Sequence, residues 1–341
     1  VGLVEGYHQL SIVADGTAVA KALLIVVPEQ CFQPDAIVGQ RRIWGVDTQI
    51  ERLRSRHSWG IGDYSDLIRL VDSAAALGAD SVGLSSLHAQ QWLGNDGQHS
   101  LPSSCNFLHL AYLDVGAIDE FNQSESAQQL WHDADFQHCL SRLRASEQVD
   151  WHGVIAIKLQ VLEQLYQHFQ TQHIERNSYR ARQFHDFRAA GGHSLWQFCV
   201  FTTLQEHLMR QKPEYSDWRH WPEEFQSPES AAVDAFAREH EERITFYLYL
   251  QWQCDAQLNE VGLRCLTLNR GVGLYHNLPL TPEPSGADAW RYQQIFAREG
   301  VSSPAPVAHF ATDSVMHGSA MLPRGLKQTG YAHFIESLRI N

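Results

Sequence analysis

The chain has 341 residues, 44% of them apolar, enough to bury a large core in one big or two moderate domains. Its 26 basic and 39 acidic residues leave a net charge of −13 with no basic run, which argues against nucleic-acid and anionic-membrane partners. The longest apolar run, residues 22–27, is far short of the ~20 residues a membrane span requires, and no signal peptide is visible, so a cytoplasmic location is expected.

In chain order, residues 8–14 and 21–27 read as two strands joined across Asp15-Gly16, a strong hairpin signal. A hairpin alone is marginal, so residues 1–40 are expected to be the end of an N-terminal β-domain whose other strands lie elsewhere. From residue 41 the pattern changes to alternating strand and helix. Arg42-Ile43-Trp44-Gly45-Val46 reads as a strand, Ser58-Trp59-Gly60-Ile61-Gly62-Asp63 as a turn, and residues 64–78 as an amphipathic helix ending at a glycine. Strand, Gly-rich turn and Asp-capped helix make the first unit expected of a β/α barrel. A second strand follows at 81–87, then polar, turn-rich sequence at 88–104 and another extended run at 107–115. Residues 119–258 are helical in pattern, as at 154–169, 195–209 and 231–258. Connections are ordinarily ~2–6 residues, so this block reads as an insertion. The next strand is expected within 263–278, loop at 301–325, and a last helix at 331–340.

Few motifs point directly to chemistry. The six cysteines form no C-x-x-C pair, and a disulfide framework is not expected in so long a chain. Nineteen histidines show no H-E-x-x-H or Cys/His ligand spacing, so no metal and no cofactor is expected. P-loop and G-x-S-x-G runs are absent, and Gly271-Val272-Gly273 lacks the third glycine of a dinucleotide loop. Glu239, Glu241 and Glu242 around His240 read as a solvated helix face. In the turn, Gly60, Gly62 and Asp63 are explained by backbone shape and helix capping. Trp59 is either a core residue or, if exposed, an apolar platform for a sugar ring.

Several stretches taken together resemble the 4-α-glucanotransferases (amylomaltases, glycoside hydrolase family 77) along nearly the whole chain. They are Glu5-Gly6-Tyr7-His8, Trp44-Gly45, Leu53-Arg54-Ser55, the run from Trp59 to Asp63, Leu87-His88-Ala89 and Tyr112-Leu113-Asp114-Val115. Trp221-Pro222-Glu223, FYLYLQW at 246–252, Gly273-Leu274-Tyr275 and the segment 287–290 continue the match. The resemblance implies an α/β protein: a partial (β/α)8 barrel holding the first three β/α units and the helical insertion of about 119–258, within a domain of residues 41–341. It implies retaining transfer of α-1,4-glucan, in which one carboxylate attacks the anomeric carbon and a second protonates the leaving oxygen. Those carboxylates follow later barrel strands in the family, so no catalytic residue is expected within 1–341, and the chain reads as truncated.

The sugar-contact positions that the resemblance places in this chain are Trp59, His88, Ser100, Ser103, Tyr275 and Asn277. Ser100 stands where the family has a stacking Tyr, and His276-Asn277 where it has Arg-Asp. Val301 to Pro306 replaces a V-G-A-P-P-D segment, and the following Gly-rich loop has no counterpart between Asp313 and Pro323. Asp47 replaces an apolar residue, a poor choice for a buried parallel strand. The expectation is a protein inactive on its own that meets maltodextrin or another α-1,4-glucan. The alternatives are a non-catalytic maltodextrin-binding pseudoenzyme using aromatics such as Trp59, Trp92 and Tyr275, or one half of a split enzyme. Three strands cannot close a barrel, so a homo-oligomer or second polypeptide is expected to cover the open edge.

Overall fold

The computed structural model describes residues 2–15, 17–33, 35–38, 42–91, 101–268, 273–302 and 318–340. Strands β1 (Gly6–Ala14) and β2 (Thr17–Val26) pair antiparallel, Gly6 opposite Val26, with a register shift between Ile12 and Val13. This is the hairpin expected around Asp15, which takes the turn with φ +50°. A single helical turn, α1 (Asp35–Val38), follows.

The parallel sheet comes next. Strands β3 (Gly45–Thr48), β4 (Ser81–Leu84) and β5 (Gly273–His276) lie in that order, with α2 (Tyr64–Ala76) connecting the first two. Asp63 caps α2 by accepting from the Asp66 N–H at 2.9 Å, and Gly60 takes φ +90°, a conformation that favours glycine. Leu67, Val71, Ala74 and Ala75 recur at helical spacing and bury one face of α2. Trp59 is 3% exposed and stacks on Trp131 at 5.3 Å, edge-on to Phe136. Its role is therefore packing, and it offers no platform to solvent.

Between β4 and β5 lie α3 (Glu125–Trp131), α4 (Ala134–Ala145), α5 (Trp151–Phe169), α6 (Tyr179–Met209), α7 (Ala231–Glu239) and α8 (Glu241–Thr267). The main core sits here. Helix α8 is buried continuously from Phe246 to Cys254 because it packs against α2, α5 and α6 together. Helix α6 is two arms joined at Gly192, whose φ +52° and ψ −143° are not helical. Its second arm is the helix that the apolar pattern marks at 195–209. After β5 come α9 (Ala287–Arg291), the strands β6 (Phe296–Ser302) and β7 (Gly318–Met321), α10 (Pro323–Gln328) and α11 (Ala332–Ile340). The stretch 301–325, expected as loop, thus includes β7 and part of α10. Among the described residues no helix is long and apolar enough to cross a membrane.

The run at 107–115 is extended but is not a sheet strand. It carries two short 3-10 turns, and its sheet-type pairing is one isolated bridge, His88 with Leu108. Side chains take the place of a neighbouring strand. Gln251 donates to the Leu108 carbonyl at 2.8 Å and accepts from its N–H at 3.0 Å, and Gln257 does the same for Asp114 at 2.8 and 2.9 Å. Lys158, fully buried, donates to the carbonyls of Ala111 and Leu113 at 2.6 and 2.7 Å. A buried backbone must be paired, and here helix side chains complete the pairing.

Candidate functional site

Side chains alternate across the parallel sheet, so its two faces differ. Val46, Val82 and Leu274 stand in register and pack toward the helices. Asp47, Gly83 and Tyr275 also stand in register, on the opposite face. That face is open: Asp47 is exposed and Tyr275 is 67% exposed. The objection that an acid is unsuited to a buried strand therefore fails for Asp47, because its side of β3 meets solvent. Gly83 makes the row possible, since a Cβ there would collide with Oδ1 of Asp47.

The row opens into a cleft of about 790 Å³ at the carboxyl ends of the three strands, lined by Asp47, Arg52, Ser85, Tyr275, His276 and Asn277 among others. Ser85 continues the parallel pairing beyond β4, its N–H donating to the Thr48 carbonyl at 3.0 Å, and its hydroxyl reaches Glu51 at 3.4 Å. Burial lowers the His276 pKa from its ordinary value, favouring the neutral imidazole. Asp47 is the single carboxylate among the described residues that line this cleft. The cleft offers an acceptor pair, an exposed ring, an amide and a guanidinium, which suit a polyhydroxylated ligand with apolar ring faces.

The other sequence candidates are distributed differently. His88 is 1% exposed, its Nδ1 lies 2.9 Å from the Ser86 hydroxyl, and burial pushes its pKa down to about 4, against the nearby Asp288 charge. Ser103 is 5% exposed and occupied with the scaffold. Its N–H donates to the Ala89 carbonyl, its hydroxyl accepts from the Ala287 N–H at 3.0 Å, and its carbonyl accepts from the Asp288 N–H. Neither side chain lines the cleft. Ser100 and Trp92 lie outside the described residues, as do 303–317 with most of the altered V-G-A-P-P-D and Gly-rich segments. Sequence reading did not single out Arg52 or Ser85; their place just beyond the ends of β3 and β4 is the signal that marks them.

A family model described as 4-alpha-glucanotransferase, glycoside hydrolase family 77, matches residues 48–341. The chain belongs to this family. The 4-alpha-glucanotransferase of Haemophilus influenzae is 31% identical over 340 residues, covering 98% of this chain and 48% of that protein. The 4-alpha-glucanotransferase of Mycobacterium bovis is 31% identical over 321 residues, covering 89% of this chain and 41% of its own length. The chain thus spans about half the length of these relatives, or less. The amylomaltase from Corynebacterium glutamicum superposes with a TM-score of 0.78 at 26% identity, covering 99% of this chain and 44% of that one. The amylomaltase from Streptococcus agalactiae in complex with acarbose, at 15% identity and a TM-score of 0.67, shares the fold over 88% of this chain and 57% of its own.

Proposed function

We propose that β3, β4 and β5 are the first three strands of a (β/α)8 barrel and that the cleft at their carboxyl ends is part of an α-1,4-glucan path. Residues 41–341 then belong to the barrel domain, with 119–258 as its helical insertion, and residues 1–40 close a preceding β-domain. Family membership and the parallel β3-β4-β5 order with α2 between the first two strands support this reading. Barrel chemistry collects at strand carboxyl ends, which is where the cleft opens. One observation carries the glucan assignment, the row Asp47–Gly83–Tyr275. Gly83 leaves room for the Asp47 carboxylate beside it, that acid accepts from sugar hydroxyls, the Tyr275 ring covers a pyranose face, and Asn277 adds a neutral amide beyond the strand end.

Residues 1–341 alone bind maltodextrin and do not transfer it. Retaining transfer needs two carboxyl groups about 5–5.5 Å apart across the scissile bond. Asp47 has no second carboxylate facing it among the described residues that line the cleft. Further strands pairing with the sheet, with the carboxylates that follow them, would be the route to activity. Calorimetric titration with maltoheptaose tests the binding, and heat saturating at millimolar sugar is expected; none removes the glucan assignment. Incubation with maltotriose tests the second half. Unchanged maltotriose is expected, while glucose together with longer maltodextrins would show that the chain is an active transferase.

A further inference from the structure

Outside the cleft, Cys105, Asp288 and His333 place a sulfur, a carboxylate oxygen and an imidazole nitrogen within 4.8 Å of one another, all three residues buried. They come from three separate parts of the fold: the segment after β4, helix α9 and helix α11. We propose that this cluster is a structural divalent-metal site suited to zinc, fastening α11 to α9 and to the segment that follows β4.

Mixed sulfur, nitrogen and oxygen donors suit zinc, which binds at ~2.3 Å to sulfur and ~2.0–2.2 Å to nitrogen and oxygen in tetrahedral sites. Such bond lengths put ligand atoms about 3.3–3.6 Å apart. His333 Nε2 and Asp288 Oδ2 are already 2.9 Å apart, so the ion would replace the hydrogen bond they share. The surroundings fix the ligands. The Ser104 hydroxyl donates to Asp288 Oδ1 at 2.7 Å, and the Cys105 N–H donates to Oδ2 at 2.7 Å. The Tyr292 and Phe296 rings stand perpendicular to the His333 ring at 4.9 and 5.0 Å between centroids. Partners that hold a ligating carboxylate and imidazole in place are what a metal site needs beyond its ligands. A water molecule would complete four-coordination. A thiol is ordinarily protonated at neutral pH, so binding forms the metal–sulfur bond and releases the thiol proton to solvent.

The test uses the whole chain, stripped with a chelator and titrated with Co2+ and then Zn2+. One equivalent of Co2+ should give tetrahedral d–d bands with a thiolate charge-transfer band, and one equivalent of Zn2+ should displace it. Zn2+ should also raise the thermal midpoint by several degrees. X-ray absorption of the wild-type complex should count one sulfur neighbour with nitrogen and oxygen completing the shell. C105S and H333Q, shown folded by circular dichroism, should each lose the charge-transfer band and the stabilisation. No thiolate band in the wild-type chain, a sulfur count other than one, or a band that persists in C105S overturns the proposal. The wild-type measurements decide it even if a variant fails to fold.

Discussion

His88 and His109 are sealed from water, and burial pushes their pKa values down to about 4 and about 3. Below the ordinary imidazole value of ~6.5 the unfolded chain takes up these protons and the folded chain does not, so acid removes stability. Asp63 works the other way. Burial raises its carboxyl to about 6, so the folded chain holds an extra proton between about pH 4 and 6 and gains stability as pH falls there. From pH 7 to 5 the two imidazoles cost roughly 2 kcal/mol each and Asp63 returns roughly 1, so these three groups together lose on the order of 3 kcal/mol. Urea unfolding should show stability falling from pH 7 to 5, and His109→Gln should reduce that fall by about 2 kcal/mol. An unchanged pH dependence in that variant would mean His109 is not the group that titrates. In the cleft, Tyr275→Ala should weaken maltoheptaose binding about fivefold, an effect of ~1 kcal/mol, and leave the thermal midpoint unchanged because the ring is largely exposed. Gly83→Ala should destabilise by about 1–3 kcal/mol through the Asp47 carboxylate, and Asp47→Ala in the same chain should recover most of that. Additive effects in this cycle would place the clash elsewhere.

Gln251 shows how a helix side chain can stand in for a strand. Gln251→Leu keeps the volume but strands the Leu108 N–H and carbonyl, at a cost of about 2–4 kcal/mol in urea unfolding and with faster hydrogen exchange at the Leu108 amide. Unaltered exchange would mean that the segment does not depend on this amide. The same contacts explain why 107–115 reads as a strand without being one: its alternation is that of a strand, but helix side chains complete its pairing, Gln251 and Gln257 on α8, 143 residues away, and Lys158 on α5. Elements with local signals were legible. The hairpin, the turn with Gly60 and Asp63, helix α2, β5 and α11 all carry turn residues, caps or a clear period beside them. The face of β3 was not legible, because four residues alternate equally well in either orientation and Gly83 across the sheet decides it. Trp59 was undecided for a related reason, since its cover, Trp131 and Phe136, comes from α3 and the start of α4. The Cys105, Asp288 and His333 cluster lay beyond any spacing rule, with separations of 183 and 45 residues. Of the residues that line the cleft, Tyr275 and Asn277 stand in stretches that carry a family pattern, whereas nothing local in the sequence marks the side of β3 on which Asp47 lies.

Across the whole molecule, two surfaces of the described residues are left uncovered. The β1–β2 hairpin is a two-stranded sheet whose faces differ in chemistry. Leu10 and Ile12 on β1 share a face with Ala20, Ala22 and Leu24 on β2. Leu10 is 54% exposed, Ile12 58% and Leu24 37%, so this apolar face meets solvent. The other face mixes Gln9, Ser11 and Lys21 with Tyr7, Leu23 and Ile25, and Leu23 lies near Gly330. A two-stranded sheet with a bare apolar face is marginal in water and gains by covering it. Among the described residues, β3 and β5 also leave outer edges unpaired, which invites further strands. The net charge of −13 opposes association at low salt, so screening should strengthen it. We therefore expect sedimentation coefficients that rise with protein concentration, more steeply at high than at low ionic strength. Leu10→Lys with Ile12→Lys should suppress most of that rise, since a charge on the bare face disfavours its burial while leaving the hairpin ladder intact. If the edges of the parallel sheet dominate instead, the double variant will associate like the parent. A monodisperse, cooperatively melting monomer at every concentration would show that neither surface seeks a partner.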